Sequence, residues 1–494
     1  MTATVETVAS EDRRASQDRG TTAADKGLRG GAIGLLSSVV IAVSSTAPAY
    51  STAATLGLIV AVIGVHAPGM LIASFVPMIC IAFAFRALNR RDPNCGTTFA
   101  WATAAFGPWV GWMGGWAIIA ADVIVMASLS SIAGRYTFLL VGADGLAANR
   151  VAVTIAGVVF IALLTWICFR GIEISARVQQ VLLAVELVAL GLFAVVAMVK
   201  VGTGHALPHA AHPTLAWLNP WTGSSSALSN SFLLAVFVYW GWDCALSVNE
   251  ETRDSARTPG RAGVLSTVVL VAVFAVVSIA ALAFAGPAYL AAHSQDVLGA
   301  LASAVLGNPA GKLLVLCVLT SSAASTQTTI MPTARAALSM AAHGAIPGVL
   351  ARIHPRYRTP TVATIAMGVV SAAFFVLLTA TSTNVLSDSA AAVGLLIAFY
   401  YGLTGFAGPW LLRRELRDSR RNLWLEGILP LAGGVSLLAA FVLSVRTYLP
   451  ASSSASSLWG LGGIFVIGAG ALAVGVILMV VCRRLTPTFF ARRR

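Results

Sequence analysis

Two apolar stretches are interrupted at their centres by residues able to meet a solute: Ser44-Ser45-Thr46-Ala47-Pro48-Ala49-Tyr50 and Tyr239-Trp240-Gly241-Trp242-Asp243. An unbroken helix satisfies its own backbone in lipid, whereas an interrupted one exposes amides and carbonyls that protein, water or a solute must meet. Pro48 has no amide hydrogen and disfavours helix at Ala47. The freed amides of residues 45–50 sit at the positive end of the half-helix that follows and suit a carboxylate. The competing reading is a plain proline kink capped by Ser44 and Ser45. Gly241 lets the second stretch unwind and frees carbonyls that accept from an ammonium. Tyr239, Trp240 and Trp242 either close over the solute, adding cation–π attraction, or pack the core.

An ionised carboxylate at mid-bilayer costs at least ~2.5 kcal/mol, so the intramembrane acids need a role. Asp243, at the second interruption, is read as a cation partner or proton carrier, or else as the cap of the half-helix after it. Glu186, if desolvated, titrates near neutrality and couples protons, or it serves as a structural partner. Asp122 is read first as structural and second as a coupling acid. Asp388 falls near the outer end of its stretch and reads as solvated. Ser321 and Ser325 share a helix face at i, i+4 and, with Ser322, offer hydroxyls to a sodium ion; as small residues they equally let helices approach. Glu250, Glu251 and Arg253 form either a closing ion-pair gate or a solvated helix end. His205, His209 and His212 are separated by Pro208, with Pro213 following, and read as an extended outer loop rather than a metal site. The six cysteines (Cys80, Cys95, Cys168, Cys244, Cys317, Cys482) show neither metal-ligand spacing nor a disulfide framework. No cofactor site, metal site or catalytic cluster is read, and no G-x-x-x-x-G-K-[ST] is present, so gradients must drive any accumulation.

The elements that position these groups are membrane spans. Only 10% of the 494 residues are charged and 57% are hydrophobic, against about 25% charged in a soluble domain. Twelve apolar stretches approach the ~20-residue spanning length: 31–63, 67–88, 108–140, 150–170, 175–200, 226–248, 262–285, 311–340, 361–381, 388–412, 426–448 and 459–482. The net charge of +13 is a topology signal rather than a nucleic-acid footprint. With both termini cytoplasmic, only Arg135, Arg150, Lys200, Lys312 and Arg446 of the 32 Lys and Arg fall outside, as the positive-inside bias requires. The expected layout is a disordered cytoplasmic tail (1–30), a first repeat of five spans (31–200) and an extracellular connector (201–225). A second repeat (226–412), a final pair of spans (413–482) and a basic cytoplasmic tail (483–494) complete it. Five spans per half invert the second half, and each half opens with an interrupted span. Gly107, Gly111 and Gly115 recur every four residues for close packing, and Trp109, Trp112 and Trp116 beside them read as interfacial anchors.

Three segments resemble the amino acid–polyamine–organocation permeases. The first, R-A-A-L-S-M-A-A-H-G-A-I-P-G-V-L-A-R-I-H-P-R-Y-R-T-P from Arg335 to Pro360, is similar to the family's loop after span 8. The second, F-V-Y-W-G-W-D-C-A-L-S-V-N-E-E-T from Phe237, is similar to its aromatic-Gly-aromatic-acid break followed by a Glu-Glu pair. The third is Gly171-Ile172-Glu173-Ile174-Ser175-Ala176-Arg177, entering span 5. With hydropathy the likeness covers about residues 35–450. It implies an all-α, LeuT-like inverted repeat of ten spans plus two. It also implies alternating-access transport of amino acids or related amines across the cytoplasmic membrane. Asp243 resembles the span 6 acid that an arginine–agmatine antiporter uses for coupling. The chain departs from the family in three places. Ser45-Thr46-Ala47-Pro48-Ala49 replaces a Gly-rich break, His343 occupies the usual acid of the turn, and Glu186 stands where several proton-coupled members keep a lysine.

The expectation is a secondary transporter of amino acids, with cationic amino acids or polyamines favoured by the acids and H+ or Na+ as the coupling ion. The alternatives are a proton- or sodium-coupled neutral amino acid importer and an exchanger. The expected partners are the solute and the bilayer, without nucleic acid.

Overall fold

The computed structural model describes residues 26–382, 384–453 and 456–491; most of the expected N-terminal tail lies outside the described residues. The chain is an all-α polytopic membrane protein. Ten stretches are long and apolar enough to cross a membrane, counted among the described residues, and one of them is the 57-residue run Leu35–Arg91.

That run holds three helices: α1 (Leu35–Thr46), α2 (Pro48–Ile63) and α3 (Ala67–Arg91). Ala47 alone separates α1 from α2, in left-handed geometry (φ 51°, ψ 70°), with Pro48 opening α2. Proline is well placed there, because its missing amide would lack a partner in a first turn anyway. A short α4 (Thr98–Phe106) leads into the long α5 (Pro108–Leu140), followed by α6 (Arg150–Arg170) and α7 (Ile172–Gly202).

The second interruption divides α8 (Ser225–Tyr239) from the single turn α9 (Cys244–Ser247). Gly241 there has φ 118°, a backbone that a side chain resists. Then come α10 (Thr258–Ala292), α11 (Val297–Leu306), α12 (Gly311–Ala342), α13 (Thr361–Thr381), α14 (Val385–Leu411), α15 (Leu429–Tyr448) and α16 (Gly463–Leu485). A hairpin, Ser457–Leu458 against Leu461–Gly462, precedes α16.

The interrupted pairs lie inside the bundle with α5, α12 and α14, while α6 and α16 are largely on its outside. Gly111 and Gly115 admit Thr103 and Met340 at distances a Cβ would forbid, which is the close packing their spacing predicts. Helix α10 is kinked at Gly286-Pro287. Pro287 supplies no amide to the Ala283 carbonyl, which instead accepts from Ala211, while Phe284 accepts from Leu207, both at 3.1 Å. The connector that carries His205, His209 and His212 is therefore tied to α10 along its main chain. No group of three metal ligands occurs among the described residues.

Three sequence expectations change here. Lys26, within the expected disordered tail, packs its side chain, 3% exposed, against the bundle end that carries both described termini. Phe489 and Phe490, within the expected basic tail, are also buried there. Asp388, expected to be solvated, is fully buried in the first turn of α14 and accepts from Ser382 (2.8 Å) and Ser456 (2.5 Å).

Candidate functional site

The two interruptions meet main chain to main chain. A Cβ on Gly241 would stand 2.8 Å from the Ser45 carbonyl carbon and 2.9 Å from the Thr46 nitrogen, so only glycine permits the approach. Residues 44–50 and 239–243 are all buried.

The first interruption leaves no amide idle. Ala47 donates back to Val43 and Ser44, and Ser51 donates to Ala47. The Ala49 amide donates to Glu186 Oε1 at 2.8 Å, and the Tyr50 amide to Ser321 Oγ at 3.2 Å. Ser321 in turn donates to the same Glu186 oxygen at 2.7 Å. Glu186, 1% exposed on α7, thus brings a carboxylate to the positive end of α2, where anions are stabilised. The expectation of free amides is corrected: the protein's own acid holds the Ala49 amide. Ser325 donates to the Ser45 carbonyl at 2.7 Å and Ser51 to the Thr46 carbonyl at 2.7 Å. Of the three serines expected to act together, Ser321 and Ser325 reach the interruption. Ser322 instead bonds Leu319 of its own helix, because it lies on another face of α12.

At the second interruption the aromatic residues divide. Trp240 Nε1 donates to the Tyr400 hydroxyl, which donates to Asp243 Oδ2 at 3.2 Å. Tyr239 instead donates to the Leu71 carbonyl and stands edge-on to Phe274. Trp242 is fully buried between Phe85 and Tyr401. Of the two readings open for these rings, Tyr239 and Trp242 take core packing, while Trp240 is held by Tyr400 beside Asp243. Asp122 on α5 accepts from Thr333 of α12 and lies within electrostatic reach of Asp243. Tyr50 joins α5 through Ser128, oxygen to oxygen at 2.6 Å. Glu186 thus lies at the first interruption and Asp243 at the second.

The terminal face is closed by ions. Arg335 Nε donates to Glu251 Oε2 at 2.6 Å, with both side chains nearly fully buried. Lys26 pairs with Glu250 at 2.5 Å, and the same Glu250 oxygen accepts from the Cys95 amide at 2.9 Å. Burial alone lowers the Lys26 ammonium, but the Cys95 thiol and Glu250 carboxylate outweigh it, and its pKa is raised above the ordinary 10.5. Ile33 pairs with Thr252 along the main chain. Glu250 and Glu251 are thus ion-paired rather than a solvated helix end, but their cations are Lys26 and Arg335; Arg253 donates from Nε to the Gly31 carbonyl. At the opposite face Asp296 caps α11 and holds Tyr136 and Arg135.

Sequence reasoning passed over Tyr400, Thr333 and Lys26. A Tyr400-Tyr401 pair in an apolar helix was a usable signal; a lone lysine in a polar tail was none.

A bundle whose interruptions face one another around buried acids is the architecture of a solute carrier. The amino acid permease family model matches residues 33–474, and the chain belongs to that family. It is a multi-pass amino acid transporter and not an enzyme. It is 28% identical to an uncharacterized transporter of Mycobacterium tuberculosis across 92% of this chain and 93% of that protein. It is 26% identical to a branched-chain amino acid permease of Lactococcus lactis across 40% of this chain and 44% of that one. A vacuolar cationic amino acid transporter of Arabidopsis thaliana is 26% identical across 60% of this chain and 47% of its own length.

Proposed function

We propose that the chain is a secondary active carrier that moves amino acids across the cytoplasmic membrane by alternating access, with cationic amino acids or polyamines as the favoured class. In this reading α1/α2 and α8/α9 are spans 1 and 6 of twelve, arranged as two inverted repeats of five followed by α15 and α16, and the terminal face is cytoplasmic.

The observation that carries the reading is the contact of Gly241 with Ser45 and Thr46, which puts both interruptions at one spot with an acid at each pole. The solute's amino group meets Asp243 and the span 6 carbonyls beneath Trp240. Its carboxylate takes the Ala49 amide, and Glu186 must give that donor up. A carboxylate stripped of its donors at this depth is costly as an anion, so the release of Glu186 goes with uptake of a proton. Asp122, beside Asp243, offers a second anionic group to a solute with a side-chain cation. A coupling sodium ion would instead sit between Ser321, Ser325 and the span 1 carbonyls.

The second reading, a coupled neutral amino acid importer or an exchanger, draws on the Thr333 bond that already occupies Asp122. The relatives' names include both branched-chain and cationic amino acids. Uptake of labelled arginine and of alanine by proteoliposomes, with Asp243→Asn alongside, tests both. Arginine uptake that collapses in the variant supports the first reading; alanine uptake with no arginine uptake supports the second, and no uptake of either removes both.

A further inference from the structure

The geometry points to a lipid site on the flank of the bundle. We propose that the groove bounded by α5, α13 and α16 holds an acyl chain of an anionic phospholipid whose headgroup rests at Arg483. This stands apart from the transport reading.

The groove encloses about 870 Å³ and runs the length of α16, from Gly463 at one end to Cys482 at the other. None of its lining residues is charged. The hydroxyl at its back wall, Thr333, is already committed to Asp122 and to the Thr329 carbonyl. Water needs two to four polar partners to stay in such a space and finds none along most of it. At hydrocarbon depth the matching occupant is hydrocarbon.

Helix packing explains why the protein does not fill the groove itself. Helix α16 leans on α5, where Trp116 Nε1 donates to the Ala471 carbonyl at 2.8 Å and Gly475 admits the indole ring. That contact leaves α13 on the far side of the gap. Gly470 faces it with no atom within 4 Å of where a Cβ would stand.

At the Gly463 end Arg150 is committed to the Ser382 carbonyl and Asp388 to Ser382 and Ser456; the charge without such a partner lies at the other end. The Arg483 guanidinium sits 5.1 Å over the ring of Trp109, one turn before Trp112, which lines the groove, and next to Cys482, which closes it. Arg483 and Arg484 are exposed, and among the described residues neither makes an ion pair with a carboxylate. An aromatic ring with an unpaired guanidinium at the mouth of an apolar groove matches a lipid phosphate above its own tail. The tail would rest on Thr333, Ala337 and Met340 of α12, the helix whose Ser321 and Ser325 hold the first interruption. Lipid occupancy therefore bears on the helix that holds the first interruption.

The test uses full-length protein purified in neutral detergent, offered phosphatidylglycerol and phosphatidylcholine in equal amounts, and read by native mass spectrometry. Wild type is expected to keep phosphatidylglycerol after detergent washing. Gly470→Trp fills the groove and is expected to lose it. Gly191→Trp, placed on the exposed side of α7 where a side chain also meets open space, is expected to keep it. Arg483→Gln should cut the preference for phosphatidylglycerol over phosphatidylcholine about fivefold. Size-exclusion profiles and melting temperatures confirm that each variant is folded. Retention of lipid by Gly470→Trp, or equal retention of both lipids by wild type, overturns the proposal. So does a wild-type dimer without lipid that Gly470→Trp dissociates, which would make the groove a contact between copies.

Discussion

The Glu186 carboxylate lies 2.8 Å from the Ala49 amide, on the donor that a solute's carboxylate would need. Gln at position 186 keeps an oxygen for that amide but carries no charge and takes up no proton. Wild-type uptake in proteoliposomes is expected to be stimulated by acid pH, and Glu186→Gln to retain uptake without that stimulation. An unchanged pH profile in this variant would remove Glu186 from coupling and leave it as a cap on α2.

Asp243 receives the Tyr400 hydroxyl, and Tyr400 receives Trp240. A hydrogen bond to a charged group contributes about 1.5–3 kcal/mol, so Asp243→Asn should weaken arginine binding by roughly tenfold to a hundredfold. Tyr400→Phe removes a hydroxyl that supports Asp243 but leaves the carboxylate to meet the cation, and should cost about tenfold or less. Titration calorimetry on purified protein separates the two; equal losses would mean that Asp243 does not meet the cation.

Gly241 allows no side chain. A Cβ there adopts a strained backbone (φ 118°) and stands 2.8 Å from Ser45. Gly241→Ala is expected to abolish uptake while the protein still reaches the membrane and elutes as a single species. Wild-type uptake by this variant would show that the two interruptions need not touch.

The buried Glu251–Arg335 pair is the most exposed to mutation. Removing one partner of such a pair strands the other charge and costs about 3–5 kcal/mol. Glu251→Gln should therefore lower the melting temperature by several degrees more than Glu250→Gln, because the Glu250 side chain is 16% exposed against 1% for Glu251.

Lys26 sets a sign for pH. Its folded pKa is raised, so its contribution is complete below the ordinary lysine value of 10.5 and is lost only as pH climbs through the higher folded value. From the lysine side the latch therefore holds from acid through neutral pH. Cys95, 1% exposed beneath it, is expected to resist maleimide across that range and to become reactive in Lys26→Ala. Equal labelling of wild type and variant would show that Lys26 does not shield this end.

Much of the arrangement was legible because bilayers are strict solvents. Interruptions at Pro48 and Gly241 violate backbone satisfaction in apolar runs, and a violation placed twice marks a site. What the residues did not reveal was which groups fill the vacated bonds, since those come from helices more than a hundred positions away. Glu186 is recognisable as an acid in a span, but its reach to Ala49 depends on how α7 packs on α1. Ser322 and Ser321 are neighbours in sequence and face different ways for a reason that only helix rotation supplies. Tyr239 and Trp242 were readable equally as lid or as core because aromatic side chains serve both, and Phe274 and Phe85 decide for the core. Asp388 looked solvated because nothing local announced Ser456, 68 residues further on.

The kink at Gly286-Pro287 hands two carbonyls of α10 to Leu207 and Ala211. The loop bearing the three histidines is thereby stitched to a helix that packs along α1 and α2. A tilt of that helix would reach the loop through main-chain bonds alone, so a probe on His205 is expected to report, from outside the bundle, on movement at the two interruptions.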